Sequence, residues 1–348
     1  MMTSVLAEAY LHHIDPFLIE FPKSWPIPGI RWYGVAYLAG FAAAWLFIRW
    51  LGSSGRSPTI TPLAAGDLMM WSVLGVLGGG RLGYCLFYEP RLLGFDGIFP
   101  YWGFFKIHLG GMSSHGGMIG VIAAVWIFSA KNRLGVLHIL DAASVATLPG
   151  LFFGRLANFV NSELKGQPIA AAAQAAPPWW SVKYPLDLAE TGFEPARLAV
   201  VRDRLTGALD LPSGVDDETL LGFTTRAVLE GNQVVIELVQ PLMTAYHPSQ
   251  IYQAATDGPI LLGVLIAIWW RPRKPGVVGA WFLIVYAVLR ILTELFRQPD
   301  VGVEQWLALS RGQVLSVLMI VAGVIGLVCC QRRDVERIGG LGSPHHSA

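Results

Sequence analysis

Four arginines lie within or beside long apolar stretches of this sequence, where a guanidinium group is costly to bury. They are Arg81, Arg155, Arg290 and Arg297. An arginine at the centre of a bilayer costs about 2.5–3.5 kcal/mol on insertion scales, so each one needs a compensating interaction. Few acidic residues occur at comparable positions in the sequence. The excess of positive charge therefore indicates an anion site, and in a membrane the abundant anion is a lipid phosphate, which the guanidinium fork binds in a geometry that lysine lacks.

Two of these arginines belong to polar stripes on predicted helices. Arg155, Asn158 and Ser162 follow the i, i+3, i+7 spacing that places side chains on one helical face, with Glu163 at its edge. A second stripe has the spacing i, i+4, i+8, i+11, and its middle pair has the spacing of an intrahelical salt bridge. Pairing within that stripe is therefore an alternative to ligand binding, although it leaves the other arginines unexplained. The members of the second stripe are Tyr286, Arg290, Glu294 and Arg297.

Two histidines have settings that suit a functional role. His115 lies in the glycine-rich stretch "GGMSSHGGMIG" (110–120), where glycines let a backbone approach a ligand. Its ring could accept a proton near pH 7 or could simply cap the following helix, and the local sequence favours neither. His247 precedes Pro248 and Ser249, which together favour helix capping. The remaining histidines show no paired helical spacing, so no metal site is expected.

The composition is that of an integral membrane protein. Of 348 residues, 53% are hydrophobic and 14% are charged, whereas soluble domains average about 25% charged residues. The mean hydropathy is +0.50. A formal net charge of +1 gives no field that would attract nucleic acid. The three cysteines have no CxxC spacing, and the first residues lack the basic start and apolar run of a cleavable signal peptide.

Seven stretches are long and apolar enough to cross a bilayer, which takes about 20 residues each. Cationic residues concentrate in alternate loops, which places the N-terminus outside and the C-terminus in the cytoplasm. The predicted fold class is an all-α polytopic membrane protein with seven transmembrane helices and a small mixed or β-rich periplasmic cap. The β-like runs of that cap are "RLAVVRDR" and "NQVVIELV". The seven stretches are roughly 31–51, 66–88, 115–130, 138–162, 248–270, 276–297 and 311–331.

These spans divide the chain into five segments. The first is an amphipathic interfacial segment. It is followed by four transmembrane helices, the cap, three more helices and a cytoplasmic tail. The sequence shows no internal repeat, which weakly disfavours a transporter built from inverted repeats. The segments are 1–30, 31–162, 163–247, 248–331 and 332–348.

Five motifs, taken in order, resemble those of the prolipoprotein diacylglyceryl transferase family. The pattern GRxxNFxNxE is long and specific, and the likeness covers roughly residues 20–332. These bacterial inner-membrane enzymes move the diacylglyceryl group of phosphatidylglycerol to the lipobox cysteine of a preprolipoprotein signal peptide, and glycerol-1-phosphate leaves. The resemblance implies that activity, that multi-pass location and those substrates, with no metal, nucleotide or other cofactor. The motifs are "RWYG" (31–34), "HGGMIG" (115–120), "GRLANFVNSELKG" (154–166), "HPSQIY" (247–252) and "YAVLRILTELFRQPD" (286–300).

The resemblance also implies roles for single side chains. Arg155 and Arg290 would hold the lipid head group and stabilise the charge of the departing phosphate. His115 would take the thiol proton. Family members often have Glu after "HPSQxY", whereas this chain has Gln253. The other implied members of the polar site are Asn158, Glu163, Tyr286 and Glu294, with Tyr33 and His247 as supporting groups and with Tyr33 or Tyr286 as the next candidate base.

Two other functional classes share some of these features. A phospholipid or small-anion transporter would also carry intramembrane arginines, but a histidine in a glycine cluster and the absence of repeats disfavour it. An intramembrane protease needs a nucleophile or an aspartate pair. The stretch "GSSG" (52–55) lies in a predicted cytoplasmic loop, and Asp67 and Asp141 share no sequence setting. Transfer of label from phosphatidylglycerol to a lipobox peptide separates the transferase from the transporter, and protein cleavage without a mass gain on the substrate would indicate the protease.

Overall fold

The structure is a computed structural model that describes residues 8–22, 24–25, 28–57, 59–95, 97, 101–106, 111–188, 195–298 and 311–342. Within these ranges the chain is mostly helical, with a few short strands. The helices are α1 (Trp32–Ser53), α2 (Pro62–Phe87), α3 (Ser114–Asn132), α4 (Val136–Ala146), α5 (Leu148–Val160), α6 (Pro195–Ala208), α7 (Asp217–Leu229), α8 (Gln233–Val239), α9 (Ser249–Ala255), α10 (Leu261–Trp269), α11 (Val277–Glu294) and α12 (Arg311–Arg332). The strands are β1 (Tyr10–Leu11), β2 (Phe17–Glu20), β3 (Gly29–Arg31), β4 (Val182–Lys183) and β5 (Ala245–Tyr246).

Six helical segments of the described chain are long and apolar enough to cross a membrane, so this is a multi-pass membrane protein. Two of the six join consecutive helices, α4 with α5 and α9 with α10. The predicted third span corresponds to α3, whose described apolar part, Gly116–Asn132, is shorter than the others. The six segments are Trp32–Ser53, Pro62–Phe87, Val136–Val160, Ser249–Trp269, Val277–Glu294 and Gly312–Arg332.

The chain forms two compact units, each assembled from segments that are distant in sequence. The first unit comprises Met1–Leu38, Leu151–Asp257 and Leu289–Leu315. The second comprises Ala39–Gly150, Gly258–Val288 and Ser316–Ala348.

In the second unit, α2 and α3 pack with their backbones in direct contact. A Cβ on Gly120 would overlap the carbonyl oxygen of Gly75, and a Cβ on Gly79 would lie 2.7 Å from the Gly120 Cα. Such small-residue faces let membrane helices approach closely. Ser113 caps α3 by accepting from the Gly116 amide at 3.2 Å. The sequence suggested that the glycines of "HGGMIG" leave room for a ligand. In the structure, Gly116 and Gly120 of this motif instead allow α3 to pack closely on α2.

Arg81 has a structural role in the same unit. Its side chain is buried, and all three guanidinium nitrogens donate to backbone carbonyl groups. The acceptors are Phe104 (2.8 Å from Nε), Gly111 (3.0 Å from Nη1) and Gly103 (2.8 Å from Nη2). The expectation that the intramembrane arginines together require an anion is wrong for Arg81, because carbonyl dipoles already satisfy its donors.

Asp141 of α4 is a second buried charge with a structural role. Its two carboxylate oxygens accept from the amides of Gly276 and Gly279, both at 2.7 Å. These amides lie at the N-terminus of α11, which begins at Val277 and where the helix dipole favours a negative charge. The carboxylate therefore caps a neighbouring helix of its own unit.

In the first unit, the outer segment predicted to be mixed or β-rich is mainly helical. Both β-like runs lie in helices, α6 and α8. In α6 the buried residues Leu198, Val201 and Leu205 recur at i, i+3 and i+7, which is a helical period. Asp216 and Asn232 cap α7 and α8 through their side chains. The prediction that these two runs are β-like was wrong because the valines raised the β-propensity of runs whose burial pattern is helical.

The strands of this unit are short. In a three-stranded sheet, β1 pairs parallel to β4, and β4 pairs antiparallel to β5. A separate hairpin joins β2 to β3. The described part of the N-terminal segment is therefore largely extended, and it leads directly into α1.

Candidate functional site

Arg155 of α5 forms an ion pair with Asp257, which is absent from the predicted site. The distance from Nε to Oδ2 is 3.0 Å, and the side chains are 16% and 0% exposed. Asp257 follows α9 in a single π-helical turn, Thr256–Ile260, which contains Pro259. The prediction that few acids lie near the arginines was wrong at this point. A lone Asp before Gly-Pro in an apolar span was the available signal.

Arg155 commits only one of its nitrogens. Within the described residues neither Nη1 nor Nη2 has a hydrogen-bond partner, and neither atom is fully enclosed by protein. A guanidinium held through Nε presents its two terminal groups as a pair of parallel donors. That pair matches two oxygens of a phosphate or carboxylate.

The second polar stripe forms the predicted intrahelical pair. Arg290 Nη2 lies 3.0 Å from Glu294 Oε2, and Arg297 Nη1 lies 3.9 Å from the same oxygen. All three side chains are largely buried. Arg290 is also close enough to Asp257 to interact electrostatically with its carboxylate. The pair was predictable because both partners are on one helix.

Tyr33, at the start of α1, contacts two polar side chains of the "GRLANFVNSELKG" motif. Its hydroxyl lies 2.7 Å from Glu163 Oε2 and is also in contact with the side-chain oxygen of Asn158. A hydroxyl has one proton, and the carboxylate is the stronger acceptor. Tyr33 therefore donates to Glu163, and the Asn158 oxygen is the alternative acceptor of the same proton.

Ser162 does not share the helical face of Arg155 and Asn158. Helix α5 ends at Val160, and Ser162 has a φ of +57°, so the chain has already turned. Its hydroxyl lies 3.3 Å from the Nδ1 atom of His12. The predicted three-residue stripe is wrong because the helix ends two residues before its last member.

Side chains of α9 hold the loop that follows α5. A Cβ on Gly166 would overlap the His247 carbonyl oxygen, so the loop runs directly against the chain that enters α9. The final glycine of the motif thus has a packing role. The supporting hydrogen bonds are Gln250 Nε2 to the Glu163 carbonyl (2.7 Å), Ser249 Oγ to the Leu164 carbonyl (2.9 Å) and the Gln167 amide to the Phe296 carbonyl (2.9 Å).

His247 lies in an aromatic cluster and does not cap a helix. Its ring is 5.1 Å from Trp180 and 5.3 Å from Phe296, and its Nδ1 is 3.4 Å from the Tyr252 hydroxyl. Helix α9 has no side-chain cap, because Ser249 donates its hydroxyl elsewhere. The capping prediction is therefore wrong. Burial lowers the pKa of His247, so the ring is neutral at neutral pH.

His12 supports the same loop and was not predicted. Its buried ring packs 4.9 Å from Phe159 and 5.5 Å from Tyr184. Burial lowers the pKa of His12 to about 4. The ring is therefore a neutral packing group beside Ser162, and it gave no sequence signal because its partners are far along the chain.

Two predicted site residues belong to the second unit. His115 is the second residue of α3, and its side chain lies outside the described part of the structure. Ser113 provides the side-chain cap of that helix. Tyr286 lies on α11 one turn before Arg290, with its ring stacked on Phe282 at 5.6 Å.

A cleft of about 450 Å³ opens beside Glu163 in the first unit. Basic and amide side chains contribute to its wall, and one of them, Lys165, is ion-paired to Asp187. Among the residues that the structure describes, no group of three His, Cys, Asp or Glu side chains could hold a metal ion. The lining residues include Arg31, Asn161, Ser162, Glu163 and Lys165.

These features define a multi-pass membrane protein with a buried guanidinium–carboxylate cluster whose open donors suit an anionic group. The family model "prolipoprotein diacylglyceryl transferase" matches residues 22–329. The chain belongs to that family. Similar proteins include the phosphatidylglycerol–prolipoprotein diacylglyceryl transferases of Bdellovibrio bacteriovorus (36% identity, covering 96% of this chain and 98% of the relative) and Stenotrophomonas maltophilia (36%, covering 94% and 95%). The enzyme of Rhodospirillum rubrum is 34% identical, covering 94% of this chain and 96% of the relative.

Proposed function

We propose that this protein transfers the diacylglyceryl group of phosphatidylglycerol to the thiol of a lipobox cysteine in a preprolipoprotein. The reaction is the first step of lipoprotein maturation. The observation that carries the proposal is the pair of open terminal groups on Arg155, held inside a membrane protein of this family. Such donors suit the phosphodiester of a lipid head group.

The charged groups of the cluster leave a place for that ligand. Three guanidinium groups lie with two carboxylates, and a third carboxylate, Glu163, accepts from Tyr33 beside them. The phosphodiester is proposed to bind through the terminal groups of Arg155, which Asp257 leaves unused. Tyr33, Asn158 and His247 are the proposed supporting groups around the head group. The charged members are Arg155, Arg290, Arg297, Asp257 and Glu294.

The proposed chemistry is a displacement at carbon. The cysteine sulfur forms a C–S bond to the terminal glycerol carbon of the diacylglyceryl group, the C–O bond to phosphate breaks, and glycerol-1-phosphate leaves with that electron pair. The thiol proton passes to a base or to the leaving phosphate. Negative charge grows on the phosphate as the bond breaks, and arginines already in place stabilise it without reorganisation.

His115 is the proposed base, and Tyr286 is proposed to act beside it. A free thiol with a pKa near 8.5 is only a few per cent thiolate at neutral pH, so a local base raises the reactive fraction. Glu163 and Glu294 are proposed to orient Tyr33 and Arg290, with which they pair.

The topology is proposed on the charge pattern. With α3 as a short seventh span, the N-terminus and the segment 163–247 face the periplasm, and the C-terminus faces the cytoplasm of a bacterial inner membrane. Segments 31–162 and 248–331 then carry the spans, 1–30 lies at the interface, and 332–348 is the tail. Arg56, Lys274 and Arg333 lie at the ends that this topology places in the cytoplasm.

The test is the intact mass of a lipobox peptide after incubation with phosphatidylglycerol and the purified protein. A diacylglyceryl increment on the cysteine is expected, and it should be abolished in Arg155→Ala and Arg290→Ala and greatly reduced in His115→Asn. Lipid movement across vesicles without a mass gain would instead favour the transporter. Normal transfer by either arginine variant would contradict the assignment of these residues.

A further inference from the structure

We propose that Asp257 is a positioning residue that holds Arg155 by its Nε edge, so that both terminal groups of the guanidinium face the lipid phosphate. This inference rests on the proposed function and deepens it, because it assigns a residue that turns a buried arginine into a phosphate receptor. Asp257 is not expected to touch the reacting atoms. It acts through Arg155.

The geometry of the pair supports this role. A carboxylate that serves only to neutralise an arginine commonly takes two parallel hydrogen bonds from its fork. Asp257 instead uses one oxygen, 3.0 Å from Nε, and leaves Nη1 and Nη2 without partners among the described residues. In the same unit, Glu294 engages Arg290 through a terminal nitrogen. The two arginines are therefore held differently, and Arg155 is the one with both terminal groups available.

The backbone places Asp257 by an irregularity in the helix. The π-helical turn Thr256–Ile260 separates α9 from α10 and contains Pro259, which has no amide proton to donate. Such single π-turns within α-helices occur often at functional sites. Here the turn holds the only acidic residue of the span Ser249–Trp269, and the side chain of that residue is completely buried.

The second oxygen of Asp257 is unsatisfied. Within the described residues, Oδ1 is enclosed and has no hydrogen-bond partner, and the same is true of Nε2 of Gln253, one helical turn earlier. An amide donor and a carboxylate acceptor at i and i+4 are complementary. A second buried carboxylate beside Asp257 would make its negative charge more costly. The neutral amide of Gln253 avoids that cost.

The experiment compares Asp257→Asn with the wild type in the transfer assay. Asp257→Asn keeps the volume and an acceptor oxygen but removes the charge that orients Nε. The value of kcat/KM for phosphatidylglycerol should fall about 100-fold, as expected when a catalytic group loses its alignment, while the KM for the lipobox peptide stays unchanged. Asp257→Glu, which keeps the negative charge, should show a smaller fall in kcat/KM for phosphatidylglycerol than Asp257→Asn. Gln253→Glu should reduce the same parameter by about tenfold, because two buried carboxylates then share one stretch of helix.

Asp141→Asn is the matched control, since Asp141 is also a buried aspartate in a spanning segment. Its oxygens bind backbone amides, so this variant should lower thermal stability without changing the activity of the folded fraction. A double-mutant cycle gives the second readout. If Asp257 acts through Arg155, then Asp257→Asn should reduce kcat/KM for phosphatidylglycerol only slightly in an Arg155→Lys background. Where turnover is too low to measure, native mass spectrometry gives phosphatidylglycerol binding for the same variants.

Losses that add in the double variant, or unchanged lipid parameters in Asp257→Asn, would overturn the inference. Both results presuppose a wild-type protein that transfers the diacylglyceryl group. Failure of the wild type to modify the peptide would reject the proposed function itself, so the two failures are distinguishable.

Discussion

Two pairs of buried charged side chains, one pair in each unit, are held in different ways. In one, Arg81 donates through all three of its nitrogens to carbonyl groups, and Asp141 accepts with both oxygens from backbone amides. In the other, Arg155 and Asp257 share a single contact, and the remaining polar atoms of both side chains have no partner within the described residues. The residue types are the same in both units, but the extent of their hydrogen bonding differs.

The difference distinguishes charges that backbone groups satisfy from charges that keep polar atoms without a partner. An enclosed polar atom without a partner costs about 1–3 kcal/mol, so a fold keeps it only when something else compensates. Backbone groups compensate Arg81 and Asp141 permanently. The terminal groups of Arg155 have no such partner among the described residues, and we propose that a bound anion supplies one.

Conservative replacement of the two arginines should produce opposite results. Arg155→Lys should lower diacylglyceryl transfer by at least about 100-fold with little loss of stability, because lysine lacks the fork that fits two phosphate oxygens. Arg81→Lys should lower the melting temperature and the yield of folded protein, while the folded fraction keeps its activity. Mass-based transfer assays and thermal unfolding in detergent check both results. Equal effects of the two variants on the activity of the folded protein would contradict the different roles assigned to Arg81 and Arg155.

A substitution that disturbs the packing of α2 on α3 should give the next largest effect, a loss of stability. Gly120→Ala should destabilise the protein by about 1–3 kcal/mol, because its Cβ would overlap the Gly75 carbonyl oxygen and force the helices apart. Gly117→Ala is the matched control, since its Cβ would meet the Val76 carbonyl oxygen at an ordinary 3.7 Å. Thermal unfolding of both variants measures the difference. Equal stability would show that the close approach is not needed for the fold.

His12 gives the smallest expected effect on stability. The effect appears only in how the free energy of unfolding depends on pH. Its pKa is about 4 in the folded protein, against about 6.5 when unfolded. The unfolded state therefore binds a proton first as the pH falls, and stability present above pH 6.5 is lost toward pH 4. Between pH 7 and 5.5 the loss is about 1 kcal/mol. His12→Gln should remove this slope and His13→Gln should keep it, and a wild-type slope in His12→Gln would contradict the assignment.

Local spacing predicted one ion pair correctly. Arg290 and Glu294 are one turn apart on one helix, so their pairing needs no knowledge of the fold. The same reasoning failed for Ser162, because a helix end is set by backbone conformation and by the side chains that receive the turning chain. It also failed for the valine-rich runs of the outer segment, whose buried faces are defined by neighbouring helices.

The sequence by itself determined that this chain enters a membrane, since apolar stretches of the required length are a property of composition and order. Its motifs also indicated the family to which the chain belongs. Only the tertiary structure decided which buried charges are structural, because the partner of Arg155 lies 102 residues away along the chain and the acceptors of Arg81 are backbone carbonyls that no residue type reveals. Hydrogen bonding depends on distance and direction, and those are fixed only when separate segments fold together.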